Sequence, residues 1–165
     1  MRALLAPLEE LGEYEEIKKM LVKSQASVAL SGCADSQKLH MIYGLSEAFR
    51  YKVIVTFSDL RAKELYEDYK FYDRNVMLYP AKDLIFFQAD IHGNQLTMER
   101  IRCLRKLMES KPVTVITTYE ALMTPQTPAE AWKKHVIHID KRSSIEESAL
   151  AVRLVELGYE KNYQV

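Results

Sequence analysis

The feature that most constrains the fold of this chain is the alternation of short β-rich runs with amphipathic helical stretches. Residues 52–57, 76–79 and 113–117 are predicted to be buried strands, and the stretches between them carry apolar residues at helical spacing. Such alternation is typical of a parallel sheet covered by helices. We therefore predict an α/β fold built on a parallel sheet.

The composition sets the size and surroundings of that fold. The chain has 165 residues, 48% of them hydrophobic, with only 5 Gly and 5 Pro, which favours a packed core over disorder. Lys and Arg number 23, as do Asp and Glu, so any contact with nucleic acid must be local. Cys33 and Cys103 lack the spacing of a zinc site, and no apolar run reaches the roughly 18 to 20 residues of a membrane helix. These features predict a cytoplasmic protein with no membrane partner.

The most informative segment is G-C-A-D-S-Q-K-L at 32–39, between a predicted strand at 27–30 and a predicted helix at 36–49. A phosphate loop, G-x-x-x-x-G-K-[ST], needs its second glycine to wrap the phosphates, its lysine for charge and its hydroxyl for magnesium. Gly32 and Lys38 match this pattern, but Gln37 and Leu39 replace the second glycine and the hydroxyl residue. We predict a degenerate, inactive phosphate loop, because leucine offers magnesium no oxygen. A tight turn with an exposed lysine explains the same residues.

No other set of residues predicts catalysis. Asp140 and Glu120 are the nearest candidates for the acidic residue that an NTPase uses to organise metal and water, and both fit surface or capping positions better. His135 and His138 lie three apart on a predicted strand at 134–140, so they would point to opposite faces. We assign no catalytic residue and no metal site.

Two stretches could contact nucleic acid. One is the helix predicted at 97–108, whose basic residues form a candidate contact surface: Arg100, Arg102, Arg105 and Lys106. The other is residues 61–74, where aromatic and basic residues mix, but Leu65, Tyr69 and Tyr72 fall on one helical stripe that we expect to face the sheet. Solvated helix surfaces account for the charges equally well, and DNA binding by residues 100–106 stays open.

The composition shifts at T-P-Q-T-P, residues 124–128, where two prolines in five residues indicate the end of the α/β unit. We predict one domain at 1–127 and another at 128–165. In the second, Ser144 and Glu147 are expected to cap a helix at 145–157, and Gly158 follows its C-terminus. Because a strand and a helix alone rarely make a domain, we expect 128–165 to be the truncated start of a small α+β domain.

Several segments, in this order, resemble the N-terminal module of the bacterial transcription-repair coupling factors. They are the loop at 32–39, K-V-I-V-T-F-S-D-L-R-A-K-E-L-Y-E-D at 52–68, L-Y-P-A-K-D at 78–83, R-I-R-C-L at 100–104 and V-I-T-T-Y-E-A-L-M at 115–123. The segment V-E-L-G-Y-E-K-N-Y-Q-V at 155–165 is similar to a stretch that this family shares with UvrB. The resemblance covers about residues 30–165.

The resemblance implies a P-loop, helicase-like fold of the UvrB type whose ATP loop is degenerate, so this part would be neither an enzyme nor a cofactor-binding protein. In that family the module recruits UvrA, and the UvrA-binding domain would begin near residue 128. The motor that uses ATP and magnesium, and the contacts with DNA and RNA polymerase, lie elsewhere in the longer protein. We therefore expect an interaction module of nucleotide excision repair, with a nucleotide- or DNA-binding helicase-like domain as the alternative. Open strand edges in an incomplete second domain also predict self-association.

Overall fold

The computed structural model describes residues 2–24, 27–82, 90–137 and 139–162. The chain divides into two compact units, Met1–Pro125 and Gln126–Val165. The elements follow in this order: α1 (Arg2–Glu9), α2 (Tyr14–Ser24), α3 (Asp35–Leu45), β1 (Tyr51–Thr56), α4 (Asp59–Tyr69), β2 (Val76–Tyr79), α5 (Asp90–Met108), β3 (Val113–Thr118), α6 (Tyr119–Met123), α7 (Ala129–Lys134) and α8 (Glu147–Glu156).

The first unit is built on a parallel sheet in the order β1-β3-β2. The central strand β3 pairs along its full length with β1, from Tyr51 opposite Val113 to Thr56 opposite Thr118. All six residues of β3 are buried, as expected for a β-branched strand that is covered on both faces. The predicted α/β fold with a parallel sheet is confirmed.

Helices cover the two faces of this sheet unequally. Ile116 and Val76 point to one face and join the core of α4, whereas Val113 and Val115 point to the other and pack with Cys103 of α5. Helix α5 contacts β2 and β3. Strand β1 has its outer face exposed to solvent.

The first three helices pack closely together. Leu8 of α1 and Tyr14 of α2 are buried against α3, where Gly44 permits the approach. A Cβ atom on Gly44 would lie 2.5 Å from Leu8 Cδ1 and 2.6 Å from the Tyr14 hydroxyl. Burial raises the pKa of the Tyr14 phenol. The sequence patterns did not predict α1.

Local capping signals account for several helix ends. The Ser58 hydroxyl accepts the amide hydrogen of Arg61 and caps α4. At the end of α8, Gly158 has a φ of +93°, and the Tyr159 amide donates to the Leu154 carbonyl in a Schellman arrangement. The predicted capping box at the start of this helix is wrong, because α8 begins at Glu147, too late for Ser144 to cap it.

Two predicted strands are wrong. Residues 27–30 are irregular, and Val28 and Leu30 line an open groove of about 210 Å³ with side chains of α2 and α3, so they do not extend the sheet. Residues 135–137 and 139–140 are also irregular and follow α7, a helix that was not predicted. Both runs are short, and no strand of the described chain pairs with them. His138 lies outside the described residues.

Helix α5 begins at Asp90, seven residues before its predicted start. Residues 83–89 lie outside the described part of the chain. The second unit begins at Gln126, two residues before the predicted second domain. Among the described residues, no helix is both long enough and apolar enough to cross a membrane.

Candidate functional site

The segment expected to hold phosphate is partly helical. Gly32 adopts a φ of +75°, which favours glycine, and it is exposed. Helix α3 then begins at Asp35, so residues 35–37 form its first turn. In a phosphate loop these positions would belong to the backbone wrap around the phosphates. The geometry here therefore lacks that wrap.

Lys38 pairs with one neighbouring carboxylate, that of Asp35. Its Nζ lies 3.0 Å from Asp35 Oδ1, and the other oxygen of Asp35 lies 3.2 Å from Arg61 Nη2 of α4. The hydrogen bond from Lys38 holds the pKa of the Asp35 carboxyl below its usual value, and Arg61 acts in the same direction. A carboxylate thus occupies the N-terminus of α3, where the helix dipole would otherwise favour a phosphate.

The two residues that break the phosphate-loop pattern have ordinary packing environments. Leu39, at the position of the magnesium-binding hydroxyl, is 3% exposed and belongs to the core of the first unit. Gln37, at the position of the second glycine, is exposed on the first turn of α3. The sequence departs from the pattern here for a physical reason, because an apolar side chain at position 39 fills the core.

The basic surface predicted on α5 is smaller than expected. Arg100 is only 3% exposed, so its assignment to that surface is wrong. It shares the helix face of Cys103, Leu104 and Leu107, which packs against the sheet. Arg102 and Arg105 are exposed, as predicted.

The charge of the remaining basic surface is partly neutralised by Glu109. Lys106 lies 3.3 Å from this carboxylate, Lys111 lies 3.8 Å away and Arg105 lies 3.9 Å away. The hydrogen bond from Lys106 lowers the pKa of the Glu109 carboxyl most. This balance weakens the case for a phosphate-backbone contact, which needs uncompensated cations.

Arg100 is instead buried at the carboxyl end of the parallel sheet, beside the last residue of β2. Its Nη1 donates to the Pro80 carbonyl at 2.6 Å, and its guanidinium carbon lies 4.2 Å from the centroid of the Tyr79 ring. Thr117 holds this strand end through a 2.8 Å hydrogen bond to the Tyr79 carbonyl. Arg100 Nη2 and the Tyr79 hydroxyl are both buried and lie close to each other, and neither has a further hydrogen-bond partner among the described residues.

The side chains of Leu65, Tyr69 and Tyr72 face the protein interior, as predicted. Tyr69 is fully buried, and Leu65 and Tyr72 are partly buried against the same core. The ring of Tyr72 stacks on His40 with centroids 5.6 Å apart, and Tyr69 meets Tyr43 edge-on. These rings are therefore unavailable as a stacking platform for bases.

The remaining polar candidates have local roles. Asp140 Oδ1 accepts hydrogen bonds from the Arg142 amide and the Ser143 hydroxyl, which closes a turn. Glu120 lies exposed in the first turn of α6, and His135 Nδ1 is 2.5 Å from the Ala131 carbonyl oxygen. Across residues 2–24, 27–82, 90–137 and 139–162, no three potential ligands cluster around a metal position.

The second unit carries its own open groove, of about 630 Å³, between α7 and α8. It is lined by Lys134, His135, Ala149, Val152 and Arg153, among others. Arg153 bridges the two helices with a 3.3 Å hydrogen bond to the Lys134 carbonyl. No described residue of this unit is buried, although α8 is largely apolar.

Known proteins resemble this chain over both units. No family model matches it. The transcription-repair-coupling factor of Bacillus subtilis strain 168 is 28% identical over 146 residues, which cover 87% of this chain and 12% of that protein. The corresponding factor of Staphylococcus aureus strain USA300 is 24% identical over 98% of this chain and 14% of its own length. The factor of Staphylococcus epidermidis is 23% identical, again over 98% of this chain and 14% of its own length.

The chain is a relative of the transcription-repair coupling factors. It spans only about one seventh of the length of the curated relatives that it matches. The similarity to the two staphylococcal factors includes residues 32–39 and most of the second unit, since it covers 98% of the chain. Relationship to this family was the prediction drawn from the ordered segments, and it is confirmed.

Sequence reasoning missed one surface feature of this relative of the coupling factors. Strands β1 and β3 end side by side at Thr56 and Thr118, so Phe57 and Tyr119 follow as neighbours. Their side chains are 83% and 69% exposed, and Met123 of α6 is 81% exposed. The sequence did carry an indication of this feature, because a large aromatic residue directly follows each of the two strands.

Proposed function

We propose that this chain is an ATPase-inactive, UvrB-like interaction module of a transcription-repair coupling factor, and that it helps to recruit UvrA for nucleotide excision repair. The observation that carries the proposal is the uncovered apolar helix α8, in a unit where no described residue is buried. In this proposal UvrA contacts the second unit. DNA, RNA polymerase, ATP and magnesium would be bound by other parts of the longer protein.

Helix α8 has the composition of a helix that a partner covers. Apolar residues occupy six of its ten positions, Ala149, Leu150, Ala151, Val152, Leu154 and Val155. A helix that is apolar on most sides is typically buried, yet Val152 and Val155 are 61% and 57% exposed. Full burial of one such side chain contributes about 1.5–3 kcal/mol. A protein partner that covers α8 would therefore gain substantial binding free energy.

The geometry at 32–39 supports the absence of ATPase activity. Lys38 is paired with Asp35, the backbone wrap is replaced by the first turn of α3, and Leu39 is buried. A nucleotide would have to displace the carboxylate and would find no hydroxyl for its magnesium ion. The module would thus act through protein contacts and leave energy transduction to the rest of the protein.

Capture of purified UvrA from the same organism by the full chain tests the proposed contact. Val152→Asp with Val155→Asp should abolish capture, because both charges would be buried under the partner. Phe71→Asp is the matched control, since Phe71 is 85% exposed in the first unit and should not contribute. Equal capture by wild type and the double variant would refute the role of α8. Sedimentation of the same chains tests the predicted self-association.

Calorimetry with Mg-ATP tests the alternative of a nucleotide-binding helicase-like domain. We expect no heat of binding at millimolar nucleotide. Heat that Lys38→Ala abolishes would establish the alternative, because this substitution removes the one loop cation. Lys63→Ala, an exposed lysine of α4, is the control for a nonspecific loss of charge.

A further inference from the structure

Arg100 is a buried cation with no carboxylate partner among the described residues. Its side chain is almost entirely enclosed, and no carboxylate of the described residues lies within 4 Å of its guanidinium group. One carbonyl and the face of Tyr79 contact this charge. Burying a guanidinium group without an opposite charge is strongly unfavourable. A bound anion would offset this cost, because it supplies the opposite charge.

The unused groups around Arg100 match the needs of an anion. Arg100 Nη2 and the Tyr79 hydroxyl are both fully buried hydrogen-bond donors that lie close to each other, and neither has a further partner in the described chain. A carboxylate or phosphate oxygen accepts hydrogen bonds and carries the missing charge, and charge-assisted hydrogen bonds are the stronger kind. One small ligand would therefore satisfy the cation and both donors.

The place in the fold is also one where ligands bind. Tyr79 ends β2, and the Pro80 carbonyl that holds Arg100 directly follows it, at the carboxyl end of the parallel sheet. Ligands of open α/β sheets bind outside the carboxyl ends of the strands. We propose that Arg100 and the Tyr79 hydroxyl form a binding site for a compact oxyanion, a phosphate or a carboxylate.

Because both donor atoms are buried, only a small ligand could reach them. Ala81, next to this strand end, is 5% exposed, so an extended polyanion such as DNA cannot reach the two donor atoms along the surface. The site thus selects a small ion or a single side-chain group. This site is separate from Lys38 and from α8, and it does not depend on the proposed recruitment of UvrA.

Thermal unfolding of the full chain at constant ionic strength tests the site, with sodium phosphate or sodium acetate replacing sodium chloride. We expect Tm to rise with the concentration of one of these anions, because a ligand that binds only the folded state stabilises it. The anion with the larger effect identifies the ligand as phosphate or carboxylate. Arg100→Met keeps an unbranched apolar stem but removes the guanidinium group, and it should remove the rise. Arg102→Met, on the exposed side of the same helix, should keep it.

Tyr79→Phe is a second variant, which tests the same site if the Arg100→Met chain does not fold. Loss of the hydroxyl should weaken the apparent affinity roughly tenfold, the equivalent of one charge-assisted hydrogen bond. The proposal is wrong if neither anion raises Tm above chloride, or if Arg100→Met and Arg102→Met respond alike.

Discussion

Replacement of Gly44 by alanine tests the packing of the first three helices. The added Cβ would lie 2.5 Å from Leu8 Cδ1 and 2.6 Å from the Tyr14 hydroxyl, whereas ordinary contacts between heavy atoms are about 3.5–4.0 Å. Leu8 and Tyr14 are 2% and 1% exposed, so neither can move into solvent. Overpacking of this kind costs about 1–3 kcal/mol of stability. Because Leu8 and Tyr14 are both buried, we expect a cost near the upper end of this range.

Alanine also favours the helix over glycine by about 1 kcal/mol, so the expected net loss for Gly44→Ala is about 2 kcal/mol. Urea unfolding followed by circular dichroism measures it. With a slope of about 2 kcal/mol per molar urea, the midpoint should fall by about 1 M. Gly12→Ala is the control, since no atom lies within 4 Å of its added Cβ. A Gly44→Ala chain as stable as wild type would refute the packing of α1 against α3.

Three further predictions concern stability and pH. Asp73→Ala should cost about 2–3 kcal/mol in urea unfolding, because Asp73 bonds Lys52 at 3.5 Å and Thr114 at 3.0 Å. Burial raises the pKa of the Cys103 thiol from 9.0 to about 11, so the unfolded chain loses this proton first. Stability should therefore fall as pH rises from about 9 to about 11, and Cys103→Ala should show a smaller fall in the same titration. Ser58→Ala removes the cap of α4 and should cost about 1 kcal/mol, and an unchanged urea midpoint would contradict this.

Local signals in the sequence predicted the elements that depend on local interactions. The span of β2 matches the structure, and the predicted bounds of β1 and β3 each differ from the observed ones by one residue. Helical spacing and a capping serine are encoded within a few residues of each other. The parallel sheet followed from the alternation of strands and helices, because parallel strands need long crossovers.

The failures fall where structure depends on distant partners. A strand at 27–30 needs a free sheet edge to pair with, and the side chains of Val28 and Leu30 pack beside α2 and α3 instead. Short apolar runs also fit strands and irregular segments equally well in sequence. The burial of Arg100 could have been found, since Cys103, Leu104 and Leu107 share its helix face.

In the candidate site, too, the sequence indicates the local contacts but not the contacts between residues that are distant in sequence. The pairing of Lys38 with Asp35 is an i,i+3 contact that sequence spacing allows. The contact of Asp35 with Arg61 joins α3 to α4 across the intervening strand, and no local pattern indicates it. Likewise, Phe57 and Tyr119 become neighbours only through the register of β1 and β3.

Titration of purified UvrA into the full chain tests the central claim most directly. The account predicts saturable binding near one UvrA per chain, unchanged by adding or omitting Mg-ATP, because the contact uses α8 and leaves the segment around Lys38 unused. Calorimetry or a labelled-chain binding assay would report it. The absence of binding by a folded chain, or binding that requires nucleotide and is lost in Lys38→Ala, would contradict the account.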